Sequence, residues 1–214
     1  MKKKKNIINN RGVEFSISKY SFSGKLTRKT ISIFWYCIDI LSCKIKKIAK
    51  LYEKTISKEY EKEFKMFNIS NDNQILHIGC GAYPITVLTI AKFNNGKIIG
   101  IDRNPKLVKL ATKIIQKNGL EKKVKIENGN GSNYFLDKFD TIIVSGCSIP
   151  KGKVLKHVFE TSKPQSKIIV RESTLTADSV AESIKLNKDI NLVKSIRNNP
   201  FPLIGWKSFY MIKK

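Results

Sequence analysis

The apolar positions of the chain change rhythm near residue 68. Upstream, Ile31, Phe34, Trp35, Ile38, Leu41, Ile45, Ile48 and Leu51 recur at steps of three and four residues, the spacing of one helix face. Lys44, Lys46, Lys47 and Lys50 fall between them, and Tyr52–Phe67 pairs Glu with Lys at helical spacing. This pattern predicts one long helix or two joined ones from about Thr30 to Phe67. Residues 1–29, basic and polar with Gly12 and Gly24, read as irregular chain. Asn68–Asn73, "NISNDN", is a turn-rich break.

Downstream, short apolar runs alternate with helical patterns. Strands are predicted at Gln74–Ile78, Lys97–Ile101, Lys123–Glu127, Phe139–Ser145 and Lys167–Arg171. Helices are predicted at Tyr83–Phe93, Pro105–Lys117, Lys151–Ser162 and Ala177–Leu186. Asn104 is placed to cap the second of these, with Pro105 at its first position and Gly119 past its end. Two closing strands, Asn191–Arg197 and Trp206–Ile212, are joined by Asn198–Gly205 with Pro200 and Pro202. Repeated strand–helix units imply a doubly wound α/β fold, a mostly parallel sheet covered on both faces. The domain division is therefore 1–69, a basic helical cap or lid, and 70–214, the α/β domain.

Composition narrows the classes. The 214 residues are 41% hydrophobic and 27% charged, as in a globular protein. The apolar-rich stretch Ile31–Cys43 is interrupted by Asp39 and is too short to span a bilayer. The opening Met1-Lys2-Lys3-Lys4-Lys5 is followed by polar residues rather than an apolar core, so no export signal is read and a cytoplasmic location is expected. Formal net charge is +24, but only five of the 41 basic residues are Arg, the residue favoured for reading bases and gripping phosphates. The lysines are spread along the whole chain, so the charge is read first as compositional. Cys37, Cys43, Cys80 and Cys147 contain no C-x-x-C pair, and His77 and His157 are the only histidines. No metal site is predicted, and the thiols are expected to be free.

The chemistry concentrates in "ILHIGCGAYPIT", residues 75–86. Gly79 and Gly81 follow a strand directly and Pro84 stands at a helix start, so the backbone can turn tightly and a ligand can approach closely. Asp102 ends the next strand, 23 residues after Gly79, at the separation where an acid holds ribose hydroxyls. Tyr83 and Pro84 replace the small residues that a pyrophosphate would require. A compact nucleoside ligand without phosphate fits the loop.

With "IIGIDRNPKLVKLA" and "KIENGNGSNYFLDKFDTIIVSG" added, residues 70–214 resemble the class I S-adenosylmethionine-dependent methyltransferase superfamily. The resemblance implies a Rossmann-like seven-stranded sheet ending in a reversed hairpin, with S-adenosyl-L-methionine as cofactor. It implies cofactor contacts from Gly79, Gly81, Tyr83, Asp102, Arg103, Asn130 and Ser145. Asn130 falls where the family often has an acid, as does His77, which is read as a strand histidine with a satisfied hydrogen bond. The form G-x-G-x-x-P of "GCGAYPIT" also resembles nicotianamine synthase and its relatives, which transfer the aminocarboxypropyl arm of the same cofactor.

The function expected is methyl transfer to a small-molecule acceptor. Aminocarboxypropyl transfer is the first alternative, and basic nucleic-acid binding on the same scaffold the second. A sulfonium is already activated, so a base is needed only for a protonated nucleophile. Glu53, Glu59 and Glu61 are the candidates if the helical region covers the pocket, although a solvated Glu/Lys face is the simpler reading. Cys80 and Cys147 are expected near the ligand edge as small buried residues. "KTISIFWYCIDILSCKIKK" also has the composition of a helix that could touch a membrane surface. No catalytic residue or oligomeric state is assigned.

Overall fold

The computed structural model describes residues 22–69, 73–201 and 204–214, with side chains from Leu26 onward. Two helices come first, α1 (Phe22–Lys44) and α2 (Lys46–Met66). They are joined at Ile45, whose extended backbone breaks the helix. The helical region is thus two joined helices. It begins eight residues earlier than the periodicity indicated, because Phe22 and Leu26 carry the helical spacing back beyond Thr30. The rest of the expected irregular segment, residues 1–21, lies outside the described residues.

The α/β domain follows as β1 (Ile75–Ile78), α3 (Ile85–Ile90), β2 (Ile98–Asp102), α4 (Pro105–Lys117), β3 (Val124–Asn128), β4 (Thr141–Val144), α5 (Lys151–Thr161), β5 (Lys167–Ser173), α6 (Ala177–Lys185), β6 (Ile190–Phe201) and β7 (Ile204–Lys213). The seven strands order as β3-β2-β1-β4-β5-β7-β6. The first five are parallel, and β7 runs antiparallel to both β5 and β6. This is a Rossmann-like sheet with a reversed hairpin at one edge. The winding changes direction between β1 and β4, the switch point where such sheets bind ligands.

Alternation along the central strands sorts the core into two layers. Ile75, Ile143 and Ile169 face α2, α3 and α4, while Leu76, Ile142, Val144 and Val170 face α5 and α6. Ile56, Phe64 and Phe67 are buried among the first set. The second helix is therefore a layer of the main core and not a detachable cover.

Local signals act largely as expected. The Asn104 side chain accepts the Lys106 N–H at 3.0 Å, ahead of Pro105, and Gly119 takes φ +65° past the end of α4. Two differences have clear causes. The helix after the glycine loop is only Ile85–Ile90, because Pro84 is its N-cap with a non-helical ψ of 59° and disfavours helix at the residue before it. The closing strands run on through Pro200 to a Phe201–Ile204 pair. Pro200 falls within a register shift on the edge strand, where a missing N–H removes no ladder bond. Pro202 lies outside the described residues. Among the described residues no helix is long and apolar enough to cross a membrane.

Candidate cofactor and acceptor site

The carboxyl ends of β1, β2 and β4 open into a cavity of about 600 Å³, roofed by α1 and α2. Gly79 and Gly81 have φ of +81° and +70°, a region that L side chains avoid. A Cβ at Gly79 would stand 2.6 Å from Ser148 Oγ, and one at Gly81 would stand 2.1 Å from Asp39 Oδ2. The loop can pass under a ligand only as glycine. The turn is held by the N–H groups of Gly79 and Cys80, which both donate to the Ile101 carbonyl at 2.8 and 3.0 Å.

Asp102 stands at the end of β2 beside this loop. Its Oδ2 accepts from Gly81 N at 3.2 Å and its Oδ1 from Asn104 N at 2.9 Å. Each oxygen keeps acceptor capacity for hydroxyl groups. Arg103 follows on the cavity wall. Asn130 lines the wall too, but its Oδ1 already accepts from Ser132 N at 3.1 Å and Ser132 Oγ at 2.9 Å. Its amide N–H₂ is the group left to face a ligand. Ser145 continues β4 into the rim. Tyr83 lines the cavity with its ring and donates its hydroxyl to Glu53, and burial pushes that phenol up. All seven residues singled out from the sequence border the one cavity.

The roof brings in a residue that the sequence did not single out. Asp39 of α1 accepts from Ala82 N at 3.2 Å, and the Tyr83 N–H and the Tyr52 hydroxyl also reach it. Burial raises its carboxyl to about 7 against those lowering hydrogen bonds, with the nearby Asp102 charge adding to the rise. The signal was available: Asp39 is the one acid between Leu26 and Tyr52. By contrast Glu53, Glu59 and Glu61 do not line the cavity, and Glu61 faces Lys92 at 3.8 Å near the surface.

Beneath the roof the chamber is polar. Arg171 of β5 donates Nη2 to Glu63 Oε1 at 2.7 Å, Nε to both Glu63 oxygens, and Nη1 to Thr86 Oγ1 at 2.7 Å. The guanidinium stacks on Tyr60 at 3.7 Å, and Ser208 also donates to Glu63. Sequence reasoning missed this pair because Glu63 sits in a Glu/Lys run indistinguishable from a solvated face. His77 faces the same chamber, and neither ring nitrogen has a hydrogen-bond partner among the described residues. Its expected satisfied hydrogen bond is therefore not observed. Burial, then the Arg171 charge, hold the imidazole well below its ordinary pKa, so it is neutral.

A second buried cluster ties α1 to the sheet. Glu172 accepts from Arg28 Nε at 2.8 Å and from Thr176, with Lys151 Nζ at 3.6 Å. Lys151 also donates to the carbonyls of Ser145 and Arg171, fixing the ends of β4 and β5. Cys80 and Cys147 both reach the cavity as free thiols. Burial lifts Cys80 well above its ordinary value and Cys147 to about 11, so neither is a thiolate at neutral pH. Among the described residues no cluster of His, Cys, Asp and Glu could hold a metal.

A family model described as a methyltransferase domain matches residues 69–213. The chain belongs to this methyltransferase domain family. Its cofactor is S-adenosylmethionine, and the cavity suits that ligand: a glycine turn for close approach and a carboxylate able to accept from ribose hydroxyls. Relatives of this methyltransferase-domain chain include a demethylmenaquinone methyltransferase of Lactobacillus johnsonii, 24% identical over 158 residues. That match covers 71% of this chain and 56% of that protein, so the chain spans about half the length of this relative. A protein-lysine N-methyltransferase of Saccharolobus islandicus is 23% identical over 162 residues, covering 76% and 83%.

Solved structures share the fold. A mutant of MtNAS, a nicotianamine synthase neighbour, in complex with S-adenosylmethionine superposes with a TM-score of 0.71 at 14% identity. It covers 93% of this chain and 86% of its own. A SAM-dependent methyltransferase from Aquifex aeolicus gives 0.61 at 18% identity, covering 72% and 89%.

Proposed function

We propose that the chain transfers a methyl group from S-adenosylmethionine to a small-molecule acceptor held beneath α1 and α2. The reading takes 70–214 as the cofactor-binding domain and residues 1–69 as the helical region above it, of which α1 is the cap and α2 a layer of the core. Gly79, Gly81, Tyr83, Asp102, Arg103, Asn130 and Ser145 would hold the cofactor. The acceptor would enter the polar chamber bounded by His77, Thr86 and Arg171. When bound, the cofactor supplies a sulfonium-activated methyl, so the protein has mainly to orient the partners and exclude water.

The observation that carries the reading is the position of Asp39. It touches the cofactor loop, faces the acceptor chamber and has its carboxyl raised to about 7. A carboxylate with that affinity for protons is matched to general-base work near neutrality. Asp39 accepts the proton released by the acceptor's nucleophile, and the Tyr52 hydroxyl orients it.

One observation favours a second reading. MtNAS structures align over 89–93% of this chain, so the likeness takes in the helical cap, while the Aquifex methyltransferase aligns over 72%. That extent supports aminocarboxypropyl transfer on the same site. The two readings separate in one experiment, mass spectrometry of S-adenosylmethionine turned over with the protein and a metabolite extract. S-adenosylhomocysteine is the expected product, methylthioadenosine supports the second reading, and neither product removes both.

A further inference from the structure

The outward face of α1 is apolar where a solvated helix is polar. Leu26, Ile33, Cys37 and Leu41 follow one another at steps of seven, four and four residues, which places them on one stripe. Leu26 is 56% exposed, Ile33 54% and Leu41 39%, and Phe34 and Tyr36 flank them at 40% and 49%. Ile45 and Leu51, at and beyond the α1–α2 joint, are exposed as well. The inward face is apolar as well, since Trp35 and Ile38 pack on the core. A helix apolar on both sides is a helix covered on both sides.

Charge selects what covers it. Five lysines between Leu26 and Tyr52 are exposed: Lys29, Lys44, Lys46, Lys47 and Lys50. The two other charged residues of that stretch turn inward, Arg28 to Glu172 and Asp39 to the glycine loop. The patch thus presents apolar side chains and positive charge, and no carboxylate within Leu26–Tyr52 is exposed. A second copy of the chain on this face would bring two sets of lysines together. An acidic surface neutralises them.

We propose that the outer face of α1 docks on an anionic lipid surface. Its stripe enters the boundary of headgroups and acyl chains, and the flanking lysines rest on the headgroups. The helix lies on the membrane and does not cross it. Phe34 and Tyr36 also line the cavity, so docking places the mouth of the site against the bilayer. An acceptor dissolved in lipid would enter there without crossing bulk water.

The test is co-sedimentation of the full chain with vesicles of phosphatidylglycerol and phosphatidylcholine, against vesicles of phosphatidylcholine alone. Ile33→Glu and Leu41→Glu are the variants, since both side chains are exposed and neither lines the cavity. Binding to the anionic vesicles is expected, falling about tenfold in the double variant and also with added salt. No binding to the anionic vesicles overturns the proposal. So does salt-sensitive binding that the double variant leaves unchanged, because lysines alone would then explain it. Equal binding to phosphatidylcholine removes the anionic partner. A dimer in sedimentation velocity that the double variant abolishes assigns the face to a second copy. Binding to a short single-stranded RNA that displaces the vesicles and survives both substitutions assigns the lysines to nucleic acid.

Discussion

The carboxylate of Asp39 accepts the backbone N–H of Ala82 at 3.2 Å, which joins α1 to the turn that follows Gly81. This one contact couples the roof of the cavity to its cofactor edge. It also places an acid of raised pKa at the edge of the cavity, where the proposed reaction would release its proton. Asp39→Asn keeps the shape and an acceptor oxygen but cannot take the proton. Turnover of an acceptor whose nucleophile is protonated should fall at least about a hundredfold, with cofactor affinity changed little. Steady-state kinetics beside calorimetric titration of S-adenosylmethionine makes the check. A variant that keeps its rate would remove Asp39 from proton transfer.

The same residue sets a pH dependence. Its folded pKa, about 7, is raised above the ordinary 3.8. Its contribution to stability is therefore fully present below pH ~4 and is lost as pH rises through about 7. Activity runs the other way, because the base must be ionised. Turnover should rise tenfold per pH unit below about 7 and level off above it. In Asp39→Asn the acid limb should vanish and the protein at pH 8 should gain on the order of 4 kcal/mol. Thermal melts across pH 5–9 test the sign. A variant less stable at pH 8 than the parent would contradict it.

Asp102 carries the ribose assignment. Its oxygens already fix Gly81 N and Asn104 N, and their remaining lone pairs face the cavity. Asp102→Ala removes the charged acceptor for two hydroxyls, each bond being worth about 1.5–3 kcal/mol. Affinity for S-adenosylmethionine should drop by at least about tenfold, with the melting temperature lowered only slightly. Normal affinity in a folded variant would take Asp102 out of the site.

Much of this site was legible in the sequence, and the reason is local. Gly79, Gly81 and Asp102 lie on loops set by strand ends, where residue type and spacing dictate geometry directly. Asn104, Pro105 and Gly119 delimit α4 by capping chemistry that needs no tertiary context. The floor of the chamber was not legible. Glu63 and Arg171 are 108 residues apart, and only the packing of α2 on β5 brings them together. His77 reads in the sequence as a strand histidine with a satisfied hydrogen bond, as most such residues are. What sets it apart, the lack of a partner among the described residues, is a property of the assembled fold. Extending β6 through Pro200 likewise required knowing that β6 is an edge.

The Glu63–Arg171 pair should dominate stability among polar contacts. Both side chains are buried, at 0% and 3% exposure, so removing either leaves a charge in low dielectric. Arg171→Met should cost about 3–5 kcal/mol, lowering the melting temperature by roughly 10 °C. Adding Glu63→Gln should recover part of the loss, because the stranded charge is gone. A single variant that loses under about 1 kcal/mol would mean that Glu63 reaches solvent or a proton.

The two N-terminal helices should separate on truncation. α1 is bound to the body through a few anchors, Arg28 on Glu172, Asp39 on the glycine loop and Trp35 stacked on Tyr52. Removing residues 1–44 should leave a folded chain that binds S-adenosylmethionine with little turnover, since Asp39, the proposed base, and the α1 half of the roof are gone. Cutting at residue 67 also takes Ile56, Phe64 and Phe67, all under 3% exposed, and strands Arg171 without Glu63. Large core side chains each contribute about 2–5 kcal/mol, and the net stability of a domain is only about 5–15 kcal/mol. The shorter fragment should not fold. Circular dichroism and melting curves of both fragments decide the matter. A cooperative transition in the fragment beginning at residue 68 would show that α2 covers the domain and does not belong to its core.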